Sequence, residues 1–436
     1  VRRPLLNWRA RIKHLPLADG DWSYSRPLRE DDPAQGWKLH VSATILSAAE
    51  VFARAEPILR RHDAFFKVPC RLELLKSLNS GLIDFSQIGK FLTIYPRSTG
   101  EGLTLAHELH RATRGLAGPR IPFDARYRKE SLVYYRYGAF HRSLDGAAGF
   151  IHSAGGRRYR DERAPGRAVP RWLDDPFQKS RVKTSKKHGL LLRDLLVFKA
   201  KAQRGKGGVY EAVDLSVLPV RRVIVKEGRR HGETNWDGRD GYTLVRHEAQ
   251  VLRKLRGAGL PVPGVFRAFT QNGNRYLVLE KIPGRPLLAA KRMQPVRLSW
   301  RQAERILEQL GPLLSRIHAA GWTWRDCKPS HILLKGGTLR LIDFEGACRI
   351  DQTEMPPWGS PDYISPLARG KFSRRAGTGE DDYALGVIAF QFGAGKFPPA
   401  AAHHRAVLYR RTHCPNLLRE KIDRLLGSKI PRRRVK

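Results

Sequence analysis

The chain has 436 residues, 41% apolar and 28% charged, which is enough apolar side chain to bury cores and excludes a disordered or fibrous protein. Its formal charge of +40 calls for a polyanionic, phosphorylated or acidic-peptide partner, or an anionic surface. At roughly 100–200 residues per domain, two or three domains are expected. The opening VRRPLLNWRARIKHL lacks the continuous apolar stretch of a secretory signal. Beginning at Val1, it reads as a fragment or a non-standard start. Segment 37–46, WKLHVSATIL, alternates at its start and predicts a strand. Lys38 and His40 then share one face, with Trp37, Leu39 and Val41 on the other. Residues 47–61 predict a helix ending in Arg60, Arg61 and His62. Lys67 in FFKVPCRLELL and Lys90 in IGKFLTIYP read singly as surface lysines. Residues 101–114 carry a helical apolar pattern, and the aromatic, β-branched 131–140 predict a strand. Between 155 and 190, Arg, Lys, Gly and Pro accumulate, as in a flexible linker or a docking strip for an acidic segment.

From about 190, four strand-like runs (LLVFKA, GVYEAV, RRVIVKE, NRYLVLEKI) precede the helical SWRQAERILEQLGPLLSRIHAAG. Short strands HILL and LRLIDF and the helical DDYALGVIAFQFG follow. Strands first and helices after suggest a two-lobed α+β domain. The apolar run near residue 390 is too short to span a bilayer. Four dispersed cysteines without a CxxC pair fit a reducing compartment. A cytoplasmic protein without membrane insertion is expected.

The string WTWRDCKPSHILLKGGTLRLIDFEG holds the densest chemistry. Phosphoryl transfer needs one carboxylate to orient the attacking hydroxyl and another to hold magnesium. Asp326 suits the first role and Asp343 the second, with Lys328 neutralising transferring charge. The segment resembles the protein-kinase catalytic loop and metal motif. That resemblance implies that Lys226 in RRVIVKE holds nucleotide phosphates, that Glu248 pairs with it, and that Glu280 lies where a hinge meets adenine. WGSPDYISP resembles the end of an activation segment, and Asp381 the aspartate that steadies the catalytic loop. Three positions depart from the pattern. Ala202 and Arg204 stand where two phosphate-loop glycines are usual, and only Gly207 matches. His331 replaces the asparagine that would hold a second magnesium, so His331 joins Asp343 as a metal candidate. Glu345 replaces the glycine after Asp343-Phe344.

In the first half, the KLH strand, GKFLTIYP, GPRIPFDARYR and VYYRYGAFH together resemble the phosphothreonine-lyase-like domain of class III lanthipeptide synthetases, in which a kinase domain comes next. The resemblance implies an α+β protein with a lyase-like domain over 1–185 and a kinase-like domain over 186–436. It implies Lys67 as the base, His40 as the acid, and Lys38, Lys90, Arg120, Arg128 and Arg136 as phosphate ligands. The implied function is a peptide dehydratase that uses ATP or GTP with Mg2+ to phosphorylate Ser and Thr of a precursor peptide. It then eliminates phosphate to give dehydroalanine and dehydrobutyrine. The chain ends soon after LLREKIDRLLG, so a cyclase-like domain is not expected and rings would need a separate cyclase or spontaneous addition. Two rivals are a Ser/Thr kinase whose first domain only docks substrate, and a basic nucleic-acid binder with a dead kinase fold. No nucleic-acid motif supports the latter.

Overall fold

The computed structural model describes residues 3–140, 149–164, 168–178, 191–288, 298–353, 356–366, 368 and 376–427. The basic stretch expected after Gln178 lies outside them. The chain divides into two compact units: Val1–Tyr210 with Glu227–Thr243 and Thr270–Arg275, and Glu211–Lys226 with Leu244–Phe269 and Tyr276–Lys436.

The first unit contains strands β1 (Leu17–Ala18), β2 (Trp22–Tyr24), β3 (Gln35–Val41), β4 (Phe65–Pro69), β5 (Leu92–Tyr95), β6 (Ala125–Arg126) and β7 (Val133–Ala139). They form one sheet in the order β1-β2-β4-β5-β3-β7-β6, with every pairing antiparallel. Its helices are α1 (Arg3–Ile12), α2 (Ala48–Arg61), α3 (Leu72–Ser80) and α4 (Thr99–Ala112). The α2 helix buries Ala48, Val51, Phe52, Ala55 and Leu59, the i, i+3, i+4 stripe of a helix laid on a sheet. The α4 helix starts at Ser98, whose side chain accepts from the backbone N–H of Glu101 and satisfies one end donor. Leu39, Val41, Phe66, Val68, Ile94, Val133 and Tyr135 meet these helices in one core. Full burial of each such side chain stabilises the fold by about 1.5–3 kcal/mol. Trp236, from the segment 227–243, is buried in the same core. A small hairpin, β8 (Phe150–His152) with β9 (Arg158–Arg160), follows.

The expected strand over 37–46 is shorter at its end than the sequence suggested. It stops at Val41, and Thr44 and Ser47 then tie a turn through mutual side-chain hydrogen bonds before α2. Hydroxyl side chains that bond their own backbone compete with strand pairing.

A six-stranded sheet follows, from β10 (Leu191–Leu192), β11 (Leu195–Arg204), β12 (Gly207–Asp214), β13 (Arg221–Gly228), β14 (Val265–Gln271) and β15 (Asn274–Glu280), in the order β10-β11-β12-β13-β15-β14. Helix α5 spans Gly241–Gly257, and α6 spans Trp300–Ala319. The second unit continues through β16 (Arg285–Pro286), β17 (Trp322–Thr323), β18 (Ile332–Lys335), β19 (Thr338–Leu341), β20 (Cys348–Arg349), α7 (Gly379–Ala394), α8 (Ala402–Arg411) and α9 (Asn416–Leu426). Helix α7 is buried on nearly all sides, as its stretch 384–394, apolar but for Gln391, requires. The tight hairpin β18–β19 turns on Gly336 and Gly337, with φ of +55° and +77°, the positive-φ pair such a turn demands. Both units mix helix and sheet, in keeping with the expected α+β class. Among the described residues, no helix is long and apolar enough to cross a membrane.

Candidate functional site

In the first unit the period-two pattern places Lys38 and His40 on the sheet face opposite the core. Register then builds a cluster around them. Lys38 pairs with Arg136, His40 with Tyr134 and Thr93, and Lys67 with Thr93. Directly paired residues project from the same face, so Lys38, His40, Lys67 and Arg136 share it. Lys38, His40, Lys90 and Arg136 are all buried.

Asp124, just ahead of β6, organises this cluster. Its side chain is fully buried, with Oδ2 2.5 Å from His40 Nδ1 and Oδ1 3.6 Å from Lys90 Nζ. Burial alone would raise the Asp124 carboxyl, but Lys90 and His40 outweigh it and hold it well below the carboxylate range. Burial keeps His40 low, at about 4, against the pull of Asp124. At neutral pH the pair is therefore a carboxylate accepting from Nδ1–H of a neutral imidazole, with the Nε2 lone pair left for the site. Burial also brings Lys38 down to about 7, and Arg136 adds to the fall. Lys67 and Lys90 are lowered too, first by burial. Lys67 Nζ sits 4.2 Å from the centre of the Trp22 ring, a contact that favours its charged form and partly offsets the effect of burial.

Arg136 is held by Asp161, which also accepts from the Ala139 N–H at 3.2 Å. Asp161 lines a cavity of about 610 Å³ with Gly149, Phe150, Arg160 and Arg163. Lys38, His40 and Lys67 do not line that cavity. Arg120 and Arg128 are exposed, and the Arg128 guanidinium lies 5.2 Å from the Tyr127 ring, whose side chain belongs to the core. The structure therefore brings together Lys38, His40, Lys67, Lys90 and Arg136 but not these two arginines. Asp124 lies within the quoted GPRIPFDARYR but is not singled out there, and Asp161 is marked by no motif or periodicity.

In the second unit, Lys226 on β13 donates to both carboxylate oxygens of Glu248 on α5 at 2.7 Å and to Asp343 Oδ1 at 2.9 Å. Burial works against its charge, but Asp343 and Glu248 outweigh it and hold Lys226 above the usual lysine range. Glu248 also accepts from the Phe344 N–H at 2.9 Å. Asp381, fully buried at the start of α7, accepts from the backbone N–H groups of Trp324 and Arg325 at 2.8 and 2.7 Å and from Thr323 and His318. It thus fixes the loop that carries Asp326. Asp326 Oδ1 accepts from the backbone and hydroxyl of Ser360, each at 3.1 Å, and Lys328 Nζ reaches both Asp326 Oδ2 and Ser360 Oγ. Ser360 was not singled out from the sequence beyond the WGSPDYISP string.

The β18–β19 hairpin brings His331 and Asp343 side by side, since the Ile342 N–H donates to the His331 carbonyl at 3.0 Å. Asp326, His331 and Asp343 each offer a ligand atom within 4.8 Å of the others. Two carboxylates and an imidazole suit a divalent cation, which when bound would neutralise charge on nucleotide phosphates. Burial lowers His331 against the pull of Asp343 and Asp326. Glu280 closes β15, and its carboxylate accepts from Gly264 N–H at 3.1 Å and Arg256 at 3.2 Å. Gly207 opens β12 at φ +151°, where a Cβ would run into the Glu227 carbonyl oxygen.

The family model described as a protein kinase domain matches residues 204–427. The chain belongs to the protein kinase family. Ahead of the kinase domain, residues 10–188 match the family described as RamC, N-terminal domain. This pairing bears out the resemblance to class III lanthipeptide synthetases. A probable SapB synthase of Streptomyces coelicolor is 30% identical over 392 residues, covering 85% of this chain and 40% of the relative. The serine/threonine-protein kinase PknA of Mycobacterium tuberculosis is 33% identical over 206 residues, 45% of this chain and 46% of that kinase. Human citron Rho-interacting kinase is 30% identical over 146 residues, 31% of this chain and 7% of that protein. The chain thus spans less than half the length of these relatives. The kinase domain and its relatives support a phosphotransferase that uses ATP.

Proposed function

We propose that the chain is a bifunctional peptide dehydratase, with the kinase domain phosphorylating Ser and Thr of a precursor peptide and the RamC-type domain eliminating the phosphate. The observation that carries the second step is the buried basic face with its His40–Asp124 pair. Lys38, Lys67, Lys90 and Arg136 gathered around one neutral imidazole suit a phosphorylated substrate. The similarity to a SapB synthase, and the RamC-type domain itself, favour a peptide substrate in lanthipeptide-type biosynthesis. ATP with Mg2+ is the expected cofactor pair, and GTP is not part of the proposal.

In the first step Asp326 orients the substrate hydroxyl and takes its proton as the hydroxyl oxygen bonds to the γ-phosphorus of ATP and the phosphorus–oxygen bond to ADP breaks. Lys328 and Lys226 neutralise phosphate charge. In the second step the neutral Lys67 amine takes the Cα proton. The Cα–H electron pair forms the Cα=Cβ bond as the Cβ–O bond breaks, and phosphate departs with that bonding pair. His40 protonates the leaving phosphate through Nε2. The bound phosphate's negative charge raises the proton affinity of His40, so the acid form appears when substrate is present. Lys38, Lys90 and Arg136 clamp the phosphate, with the Arg136 fork able to exchange Asp161 for phosphate oxygens.

The likeness of the kinase half to PknA favours a second reading, a Ser/Thr kinase whose first domain docks substrate. Peptide mass separates the two: a dehydratase leaves product lighter by one water per site, and a plain kinase leaves stable phosphate.

A further inference from the structure

We infer that the cation site beside Asp343 prefers a first-row transition-metal ion to magnesium, with His331 Nε2 as a direct ligand. This rests on the phosphotransferase reading of the second unit.

The geometry assigns the ring its tautomer. His331 Nδ1 lies 3.1 Å from the Asp326 backbone carbonyl. A carbonyl only accepts, so Nδ1 carries a proton, with Asp326 Oδ2 on the same side at 3.4 Å; when Nε2 is unprotonated, its lone pair is the ring's one free donor to a metal. That lone pair faces Asp343 Oδ2 at 3.2 Å. Two lone pairs at this distance repel, and a cation between them turns the repulsion into shared coordination. Neighbouring ligands on an octahedral ion with bonds of about 2.1 Å stand about 3 Å apart, so the observed spacing suits two ligands of one ion. Lys226 meanwhile engages the other oxygen, Oδ1, and so orients the carboxylate toward the imidazole. Asp326 completes a set of two carboxylates and one imidazole.

The donor chemistry decides the class of ion. Magnesium is hard, takes oxygen ligands and loses its waters reluctantly. Imidazole nitrogen suits first-row transition metals. The ring is oriented by its Nδ1 contact with the Asp326 carbonyl, and its backbone is held by the bond from Ile342 and by the β18–β19 register that pairs Ile332 with Leu341.

The test uses the full chain with 15N-labelled histidine, ADP and Mn2+ as the paramagnetic probe, read by electron–nuclear double resonance. The inference expects a 15N coupling at the Mn2+ signal that disappears in His331→Asn. It also expects the Mn2+ over Mg2+ affinity ratio to fall about tenfold or more in that variant, the scale on which metal sites respond to lost partners. Mn2+ bound beside ADP with no 15N coupling in the unsubstituted protein would overturn it, as would an unchanged ratio in a His331→Asn protein that melts normally. An imidazolium paired to Asp343, with no metal ligation, gives that first result. Failure to bind ADP with any cation would instead count against the phosphotransferase reading itself.

Discussion

His40 Nδ1 lies 2.5 Å from a carboxylate oxygen of Asp124, a residue 84 positions further along the chain. The contact fixes the ring's tautomer and leaves Nε2 for the basic face. Asp124 is thus a positioning residue for the proposed elimination. Asp124→Asn keeps the shape but offers an amide that can hold the wrong tautomer. Elimination from a phosphopeptide is expected to slow by about 10²–10⁴-fold, the scale seen for the same change in a histidine–aspartate pair elsewhere. Phosphorylation continues, so phosphopeptide accumulates, and kcat for elimination should fall more than KM rises.

Lys38 gives a pH signature. Its folded value is about 7 against an ordinary 10.5. Between those values the unfolded chain binds the proton and the folded chain does not, so stability rises with pH across that window. At pH 6–7 the buried ammonium therefore costs the folded state several kcal/mol, at about 1.4 kcal/mol for each tenfold change in proton affinity. Lys38→Met should raise the melting temperature at pH 6–7, with the gain shrinking toward pH 10.5. In the unsubstituted protein kcat/KM for elimination should fall as pH rises through about 7, where Lys38 loses the charge that holds phosphate. Lys38→Arg, which stays charged, should remove that fall.

Lys226 should separate the two steps. Lys226→Met leaves Glu248 buried without its cation, which costs about 3–5 kcal/mol. Phosphorylation should be lost, while elimination from a peptide supplied already phosphorylated should persist. Loss of both steps would show that the two activities are not independent.

Gly207→Ala tests the one matching phosphate-loop glycine. At φ +151°, with the Glu227 carbonyl oxygen in the way, even a methyl group is strained by about 1–3 kcal/mol. A lower melting temperature and weaker ATP binding are expected, measurable by calorimetry.

The kinase half was the more legible in sequence because its chemistry is local. Asp326, Lys328 and His331 sit within six residues, and Asp343 lies just past the short hairpin that starts after His331. In the first half, alternation gave the shared face of Lys38 and His40. Arg136 entered only through resemblance, because its pairing with Lys38 spans about a hundred residues. Asp124 lies in the same quoted string as Arg120 and Arg128, but in a loop with no periodicity to give its face, and only folding brings it to His40. Arg120 and Arg128 stand apart from the cluster. Both come from a quoted string, but both are exposed while the cluster's other cations are largely buried, and charge alone does not say which face a residue takes.

The central claim is that one chain installs phosphate on a side-chain alcohol and then removes it to leave an alkene. The most direct measurement is the intact mass of a Ser/Thr-containing peptide after incubation with ATP, Mg2+ and either the unsubstituted protein or Lys67→Ala. The account predicts peptide lighter by one water per site from the first and heavier by one phosphate per site from the second. Stable phosphopeptide from the unsubstituted protein, or normal dehydration by Lys67→Ala, would contradict it.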